Sequence, residues 1–200
     1  MTVIPPDITV KYNKEYIIKL NKEAASRIFP YEYKNYKEST NDLFSWKWIQ
    51  LPIKPEKHHL NKLVVFNKAN VDLEFSILIN YVVENKQEIP LVYYSPSRTA
   101  IVTYDNYQYR LFGGITEFGK GDQFSTVEVT PKEWLEGNVF DFKPLTKESN
   151  GWGMEFRFLI KGNSCAYLYE WEFSNSNLHE IEELHMQYHG LLQNKKSTVK

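Results

Sequence analysis

Residues 152–173 constrain the fold of this chain more than any other stretch. The segment consists of two runs rich in aromatic residues, separated by the turn sequence Gly162-Asn163. A turn at that point places Phe158 opposite Tyr167, and aromatic cross-strand pairs of this kind stabilise a sheet by roughly 0.2–1 kcal/mol each. The pattern therefore predicts an antiparallel hairpin with large aromatic residues along one face.

The same register brings acidic side chains together on the other face of the predicted hairpin. Glu155 lies opposite Glu170, and Arg157 lies diagonally across from Glu170. Two carboxylates at cross-strand distance can share a proton, hold a divalent cation or act as an acid/base pair. Alternatively, this face is solvated and Arg157 relieves the repulsion. Glu155, Glu170 and Arg157 are therefore the candidate catalytic residues.

The composition fits a single domain in which strands dominate. The chain has 200 residues, of which 42% are hydrophobic, and it contains 14 Tyr and 12 Phe, residue types that favour strands. We expect one globular domain over residues 1–194 and a frayed basic tail over residues 195–200. Because Cys165 is the one cysteine, an intrachain disulfide is impossible. Its place on the aromatic face of the hairpin predicts a buried side chain.

Alternation of apolar and polar residues predicts further strands. It indicates a hairpin over residues 7–20 that turns at Asn13-Lys14, a strand over residues 44–48 and a three-stranded meander over residues 89–112. Residues 113–121 contain glycines and a lysine but do not match a phosphate-binding loop, so we interpret them as a flexible connection.

Helix signals occur in four places. Asn21 can cap a short helix over residues 22–28, and residues 130–133 form a capping box with proline at the first helical position. Residues 71–83 fit both a strand and a helix, and we interpret them as a helix that reaches residue 86. An amphipathic helix follows Asn177. The predicted fold class is α+β, mainly an antiparallel sheet of local hairpins with an aromatic-rich core.

Two histidines of the C-terminal helix have a spacing found in metal sites. His185 and His189 are four residues apart, and Glu182 precedes His185 by three, so the three side chains lie on neighbouring turns. The set supplies only half of a zinc site and lacks the HExxH order. The alternative is a pair of histidines at the boundary of the apolar stripe. Glu182, His185 and His189 are the candidate metal ligands, and no cofactor is predicted.

The charge distribution limits the classes of partner. The net charge of −1 predicts no general affinity for nucleic acid or anionic membranes. Residues 1–68 hold 12 basic and 7 acidic residues, whereas residues 69–200 hold 12 and 18, which predicts a polarised surface. The N-terminus lacks the pattern of a signal peptide, and no apolar run is long enough to span a bilayer. We therefore expect a soluble cytoplasmic protein.

The function that fits these patterns best is binding of another protein without catalysis, as in an inhibitor, an immunity protein or a bacterial or phage-encoded neutralising factor. The aromatic content and the polarised charge favour a protein interface, and an exposed sheet edge would also permit a homo-oligomer. The candidate interaction residues are Trp134, Trp152, Glu170, Glu172, Glu180 and Glu183. One alternative is a small metal-dependent or acid/base hydrolase that uses Glu155 and Glu170. The other is a carbohydrate or small-ligand binding module that uses Trp134 and Trp152.

Overall fold

The computed structural model describes residues 10–20, 23–54, 58–85, 89–105, 108–117, 119–121, 123–137 and 143–194. Strands dominate this part of the chain, as the aromatic composition predicts. In chain order the strands are β1 (Tyr12–Leu20), β2 (Glu23–Ile28), β3 (Tyr36–Thr40), β4 (Phe44–Leu51), β5 (His59–Asn67), β6 (Leu73–Val83), β7 (Leu91–Ser95), β8 (Ala100–Tyr104), β9 (Tyr109–Thr116), β10 (Gly119–Lys120), β11 (Gln123–Ser125), β12 (Leu145–Thr146), β13 (Gly151–Ile160) and β14 (Cys165–Asn175). The helices are a 3-10 turn at Pro30–Glu32, α1 (Pro131–Leu135) and α2 (Leu178–Asn194).

The described strands form two antiparallel sheets that face each other. The small sheet has the order β11-β13-β6-β1-β2, and the large sheet has the order β12-β7-β8-β9-β14-β5-β4-β3, with β10 paired to β9. Side chains from both sheets interdigitate between them, as in a β-sandwich. Phe44 of the large sheet, for example, meets Phe75 of the small sheet edge to face, with ring centroids 5.5 Å apart. Helix α2 packs on the outer face of the large sheet. The broad α+β prediction is confirmed.

The hairpin predicted for residues 152–173 is wrong, because its two strands belong to different sheets. Strand β13 pairs with β6 and β11 in the small sheet, and β14 pairs with β5 and β9 in the large sheet. The turn at Gly162-Asn163 exists, but it carries the chain from one sheet to the other. Phe158 therefore faces the interior, whereas Tyr167 lies on the outer face of the large sheet. Alternation fixed the faces of each strand correctly, but it does not specify the partner strand.

A buried asparagine stabilises the point where the chain passes from one sheet to the other. Asn67, at the end of β5, is fully buried and donates hydrogen bonds through Nδ2 to the carbonyl oxygens of Val71 (2.8 Å), Ile160 (3.0 Å) and Lys161 (3.2 Å). Its backbone N–H also donates to the carbonyl of Ser164 (2.8 Å). These bonds satisfy carbonyl groups that the sheet ladders leave unpaired where the chain changes sheets.

The helix predicted over residues 71–86 is also wrong, since residues 73–83 form strand β6. This strand lies between β1 and β13, so both of its edges are hydrogen-bonded. Phe75, Ile77 and Ile79 point into the sandwich and Leu78 packs on the outer face of the small sheet; all four are fully buried. Burial on both faces explains why the segment is apolar at helical spacing as well as at strand spacing.

The N-terminal predictions fail for a related reason. Strand β1 continues through Asn13-Lys14, where a turn was expected, because it pairs with β6 along its whole length. Residues 23–28, expected as a helix, form β2, which extends the small sheet by pairing with β1. Tertiary pairing overrides local propensity in both places. Residues 7–9 of the predicted hairpin lie outside the described residues.

Predictions that depend on local turns agree with the structure. Strand β4 covers the predicted strand over residues 44–48. Strands β7, β8 and β9 form the predicted meander, in which Tyr93, Val102 and Leu111 are directly aligned on one face. Tyr107 and the predicted tail over residues 195–200 lie outside the described residues.

The two predicted C-terminal helices are present. Helix α1 begins at Pro131, although the Thr130 side chain makes no capping hydrogen bond. At the start of α2, Asn177 Oδ1 accepts a hydrogen bond from the backbone N–H of His179 (3.0 Å). Ile181 and Leu192 of α2 are buried against the large sheet. No helix in the described part of the chain is long and apolar enough to cross a membrane.

Two glycines of β9 allow large side chains to cover the large sheet closely. A Cβ atom on Gly113 would lie 2.6 Å from Nε1 of Trp171, and one on Gly114 would lie 2.5 Å from Cζ of Phe156. Residues 113–116 are thus part of a strand, and the flexible connection predicted to begin at residue 113 is wrong there. The buried position predicted for Cys165 is also wrong, since its side chain is exposed.

Candidate functional site

The interior face of the large sheet changes from apolar to polar along its strands. On β14 the inward residues Ala166 and Leu168 are followed by Glu170 and Glu172. Strand β5 has the same change in the opposite chain direction, from Asn61 at its polar end to Leu63 and Val65. The register sets Glu170 opposite Asn61 and Asn61 opposite Gln50 of β4. Polar side chains of neighbouring strands therefore lie side by side at one end of the sandwich.

Glu170 is the centre of this polar end. Its carboxylate is 1% exposed and accepts hydrogen bonds from four side chains. Tyr16 Oη (2.7 Å) and Asn61 Nδ2 (2.7 Å) donate to Oε2, and Tyr81 Oη (2.8 Å) donates to Oε1. Lys14 Nζ lies 3.2 Å from Oε2 and 3.3 Å from Oε1. Since Lys14, Tyr16 and Tyr81 belong to the small sheet, this carboxylate links the two sheets.

The electrostatics of the cluster keep Glu170 ionised. Burial alone would raise the pKa of Glu170, but the charge of Lys14 and the hydrogen bonds from Asn61, Tyr16 and Tyr81 outweigh it and hold the pKa below its ordinary value. Burial and then the charge of Glu170 raise the pKa of both tyrosines well above the usual value. Glu170 is thus a poor proton donor, and its lone pairs are already engaged.

A cleft of about 650 Å³ opens between the sheets beside this cluster. Its aromatic lining residues are Tyr12, Tyr31, Tyr33 and Trp48. Its amide lining residues are Asn13, Gln50, Asn61 and Gln108. Its acidic and basic lining residues are Lys11, Lys14, Glu84, Arg110 and Glu172. We call this cavity the first cleft.

Several charges of the first cleft are balanced within the protein. Lys14 pairs with Glu170 at 3.2 Å. Arg110 donates to the carbonyl of Val10 (2.6 Å) and lies 3.7 Å from Oδ2 of Asp105. Burial, the charge of Glu172 and a hydrogen bond to that carboxylate raise the pKa of Tyr12. The cleft therefore offers rings, amides and matched charges.

The candidate catalytic pair is not formed. Glu155 lies on the outer face of the small sheet, opposite Leu78 and Gln123 across the ladders, whereas Glu170 points between the sheets. Arg157 donates to Glu155 through Nε (3.1 Å to Oε1) and Nη2 (3.0 Å to Oε2), so it pairs with Glu155 and not with Glu170. The expected juxtaposition was wrong because it assumed the hairpin register.

The candidate metal ligands have structural partners. His185 Nδ1 accepts a hydrogen bond from Trp171 Nε1 (3.1 Å), and Nε2 lies 2.9 Å from the carbonyl oxygen of Arg98, which assigns the proton to Nε2. Glu182 pairs with the side chain of Arg98 at 3.6 Å, and His189 packs edge to face on Trp171. Both ring nitrogens of His185 are thus occupied. The described residues contain no group of three or more His, Cys, Asp or Glu that could hold a metal ion.

Most of the candidate interaction residues are buried. Trp152 is fully buried and stacks on Tyr81, with an interplanar angle of 14°. Trp134 is 2% exposed and lies beneath the ammonium of Lys19, 4.2 Å from the ring centroid. Glu170 and Glu172 are also buried, so these four residues do not offer the exposed surface that a protein interface requires. The other two candidates, Glu180 and Glu183, are exposed on α2.

Sequence reasoning missed the partners of Glu170 and the lining of the first cleft. One signal could have indicated the site. Glu170 and Glu172 alternate with Tyr169, Trp171 and Phe173, so a strand with one fully aromatic face carries two acids on the other face.

Comparisons with known proteins give no family. No family model and no curated protein matches the chain. Among solved structures, the chain is similar to a bacterial glucoamylase complexed with acarbose, with a TM-score of 0.49 and 10% sequence identity. The similarity covers 88% of this chain and 28% of that chain, so the chain spans under a third of the enzyme's length.

Proposed function

We propose that this chain is a binding protein whose first cleft takes a small carbohydrate. The observation that carries the proposal is the presence, in one cavity of about 650 Å³, of aromatic rings together with amide side chains. Cavities of roughly 300–1,000 Å³ are typical of small-molecule sites.

The lining suits a ligand with hydroxyl groups and apolar ring faces. Amide side chains both donate and accept hydrogen bonds, as sugar hydroxyl groups require. Among the aromatic lining residues Tyr31 is 66% exposed and Tyr33 is partly exposed, and aromatic rings supply rigid apolar contact area at low entropic cost. Lys14 and Arg110 already have anionic partners, which favours an uncharged sugar ring over an anionic ligand.

The two other functional hypotheses receive less support. A hydrolase that uses Glu155 and Glu170 would need both carboxylates at one substrate, whereas Glu170 lies between the sheets and Glu155 lies on the outer face of the small sheet. Binding of a protein partner remains a hypothesis, and of its candidate residues Glu180 and Glu183 are the ones on the surface.

The test is calorimetric titration with a panel of neutral oligosaccharides, with tryptophan fluorescence as a second signal. We expect saturable binding that Tyr33→Ala weakens roughly tenfold, the equivalent of about 1.4 kcal/mol. Tyr36→Ala is the matched control, because Tyr36 is half exposed on β3 and does not line the cleft. The proposal fails if no oligosaccharide binds, or if both variants bind as the wild type does.

A further inference from the structure

A second cleft, of about 590 Å³, lies beside the first, between the end of β14 and helix α2. Gln108 and Ser174 line both clefts, so a single ligand can reach from one to the other. Among the described residues that line the second cleft, the charged ones are Glu180 and Glu183, and none is a lysine or an arginine. The second cleft is therefore acidic, unlike the charge-matched first cleft.

His58 adds an unused hydrogen-bond acceptor to the wall of the second cleft. The residue is 8% exposed, and its ring packs on Phe173 with centroids 5.2 Å apart. Its Nε2 lies 3.3 Å from the carbonyl oxygen of Ser174, which assigns the proton to Nε2 and leaves Nδ1 as an acceptor. Within the described part of the chain Nδ1 has no hydrogen-bond partner.

The protonation state of His58 favours acceptance of a hydrogen bond at Nδ1 over donation. Burial lowers the pKa of His58, so the neutral ring predominates and Nδ1 keeps its lone pair. A buried acceptor without a donor is destabilising, and a ligand that supplies the donor removes this penalty.

The two carboxylates are held in place by short local contacts. Glu180 accepts hydrogen bonds from Nδ2 of Asn175 (2.6 Å) and of Asn177 (3.2 Å). Glu183 lies 3.2 Å from Nε2 of His179 on the exposed face of α2. The asparagine donors are neutral, so the charge of Glu180 is not cancelled by them.

We propose that the second cleft binds an ammonium group, and that the ligand of the two clefts is an amino sugar oligomer. This inference rests on the proposed carbohydrate binding in the first cleft. An ammonium group has three donors and a positive charge, which match the acceptor of His58 and the carboxylates of Glu180 and Glu183. The sugar ring beside the amine occupies the first cleft, and Gln108 and Ser174 contact the junction.

The experiment compares three β-linked oligomers of equal length, built from glucose, N-acetylglucosamine and glucosamine, by calorimetric titration below the pKa of the sugar amine. The three ligands share ring shape and differ at one substituent. We expect the glucosamine oligomer to bind roughly tenfold more tightly than the other two. His58→Phe, which retains an aromatic ring on Phe173, and Glu183→Gln should each reduce the preference for the glucosamine oligomer over the glucose oligomer.

Glu128→Gln is the matched control, because it removes one exposed carboxylate that lies outside both clefts. It should leave the preference intact. Equal affinity for all three oligomers overturns the ammonium site and leaves carbohydrate binding standing. Failure of all three to bind overturns carbohydrate binding and this inference with it. A lysine-rich peptide that binds where glucosamine oligomers do not also overturns the inference, in favour of a protein partner.

Discussion

The two ends of the sandwich interior are built from the same strands but differ in their interactions, which are apolar packing at one end and hydrogen bonds to a buried carboxylate at the other. At one end, residues such as Phe44 and Phe75 interdigitate, and each buried side chain of this size contributes about 1.5–3 kcal/mol by leaving water. At the other end, Glu170 is buried with four hydrogen-bond donors. Such a polar cluster contributes little net stability when complete, but it is costly to break. One end therefore stabilises the fold, whereas the other holds a defined site.

The largest expected effect lies at the apolar end. Phe75→Ala should lower the free energy of unfolding by about 3–5 kcal/mol, because it removes a fully buried ring and leaves a cavity against Phe44. Urea denaturation measures the loss. Leu159→Ala on the same sheet is the control, since Leu159 is 55% exposed and should change stability by no more than about 0.5 kcal/mol. Equal losses in the two variants would contradict the assignment of this end as the packed core.

A somewhat smaller effect is expected at the polar end. Glu170→Ala should lower the free energy of unfolding by about 3 kcal/mol, as urea denaturation measures it. The substitution leaves the hydroxyl groups of Tyr16 and Tyr81 and the amide of Asn61 without their acceptor. The side chain of Lys14 is 14% exposed and can recover some hydration, which limits the loss.

Substitution of Glu155 by alanine shows how the Glu170 cluster differs in stability from an ordinary ion pair. Glu155 is also buried, but its partner Arg157 is 46% exposed and can turn to water. We therefore expect Glu155→Ala to cost on the order of 1 kcal/mol. If urea denaturation gives equal losses of unfolding free energy for both variants, the Glu170 cluster is no more costly to break than the ion pair on the outer face of the small sheet.

The sequence predicted those parts of the fold in which neighbours in the chain are neighbours in space. The meander was predictable because short turns join its strands, and the alignment of Tyr93 with Val102 follows from the turn position. Helix α2 was predictable because Asn177 and the apolar stripe are local signals. Strand β6 was not predictable, since burial on both faces removes the polar positions that distinguish the two periods.

The candidate site was predictable only in part, for the same reason. The acidic face of its strand identifies Glu170 from the sequence, but its partners Tyr16, Asn61 and Tyr81 are 154, 109 and 89 residues away in the chain. No local pattern connects residues at such separations. The nearest acid by the assumed register, Glu155, proved to lie on another sheet. The alternation of apolar and polar residues predicts the face of the strand on which each side chain lies, whereas the order of the strands depends on the packing of the whole chain.

The smallest expected effect is a pH dependence confined to the polar end. The pKa of Glu170 is lower in the folded protein than in the unfolded chain, because Lys14 and the hydrogen-bond donors outweigh the effect of burial. Its stabilising contribution is therefore fully present above the unfolded pKa of about 4.3 and is lost as the pH falls through the folded pKa. Glu170→Gln removes this titration. The difference in unfolding free energy between wild type and Glu170→Gln should shrink as the pH falls below that value. Urea denaturation at a series of pH values measures it, and a difference that stays constant into acid would show that Glu170 does not titrate in this way.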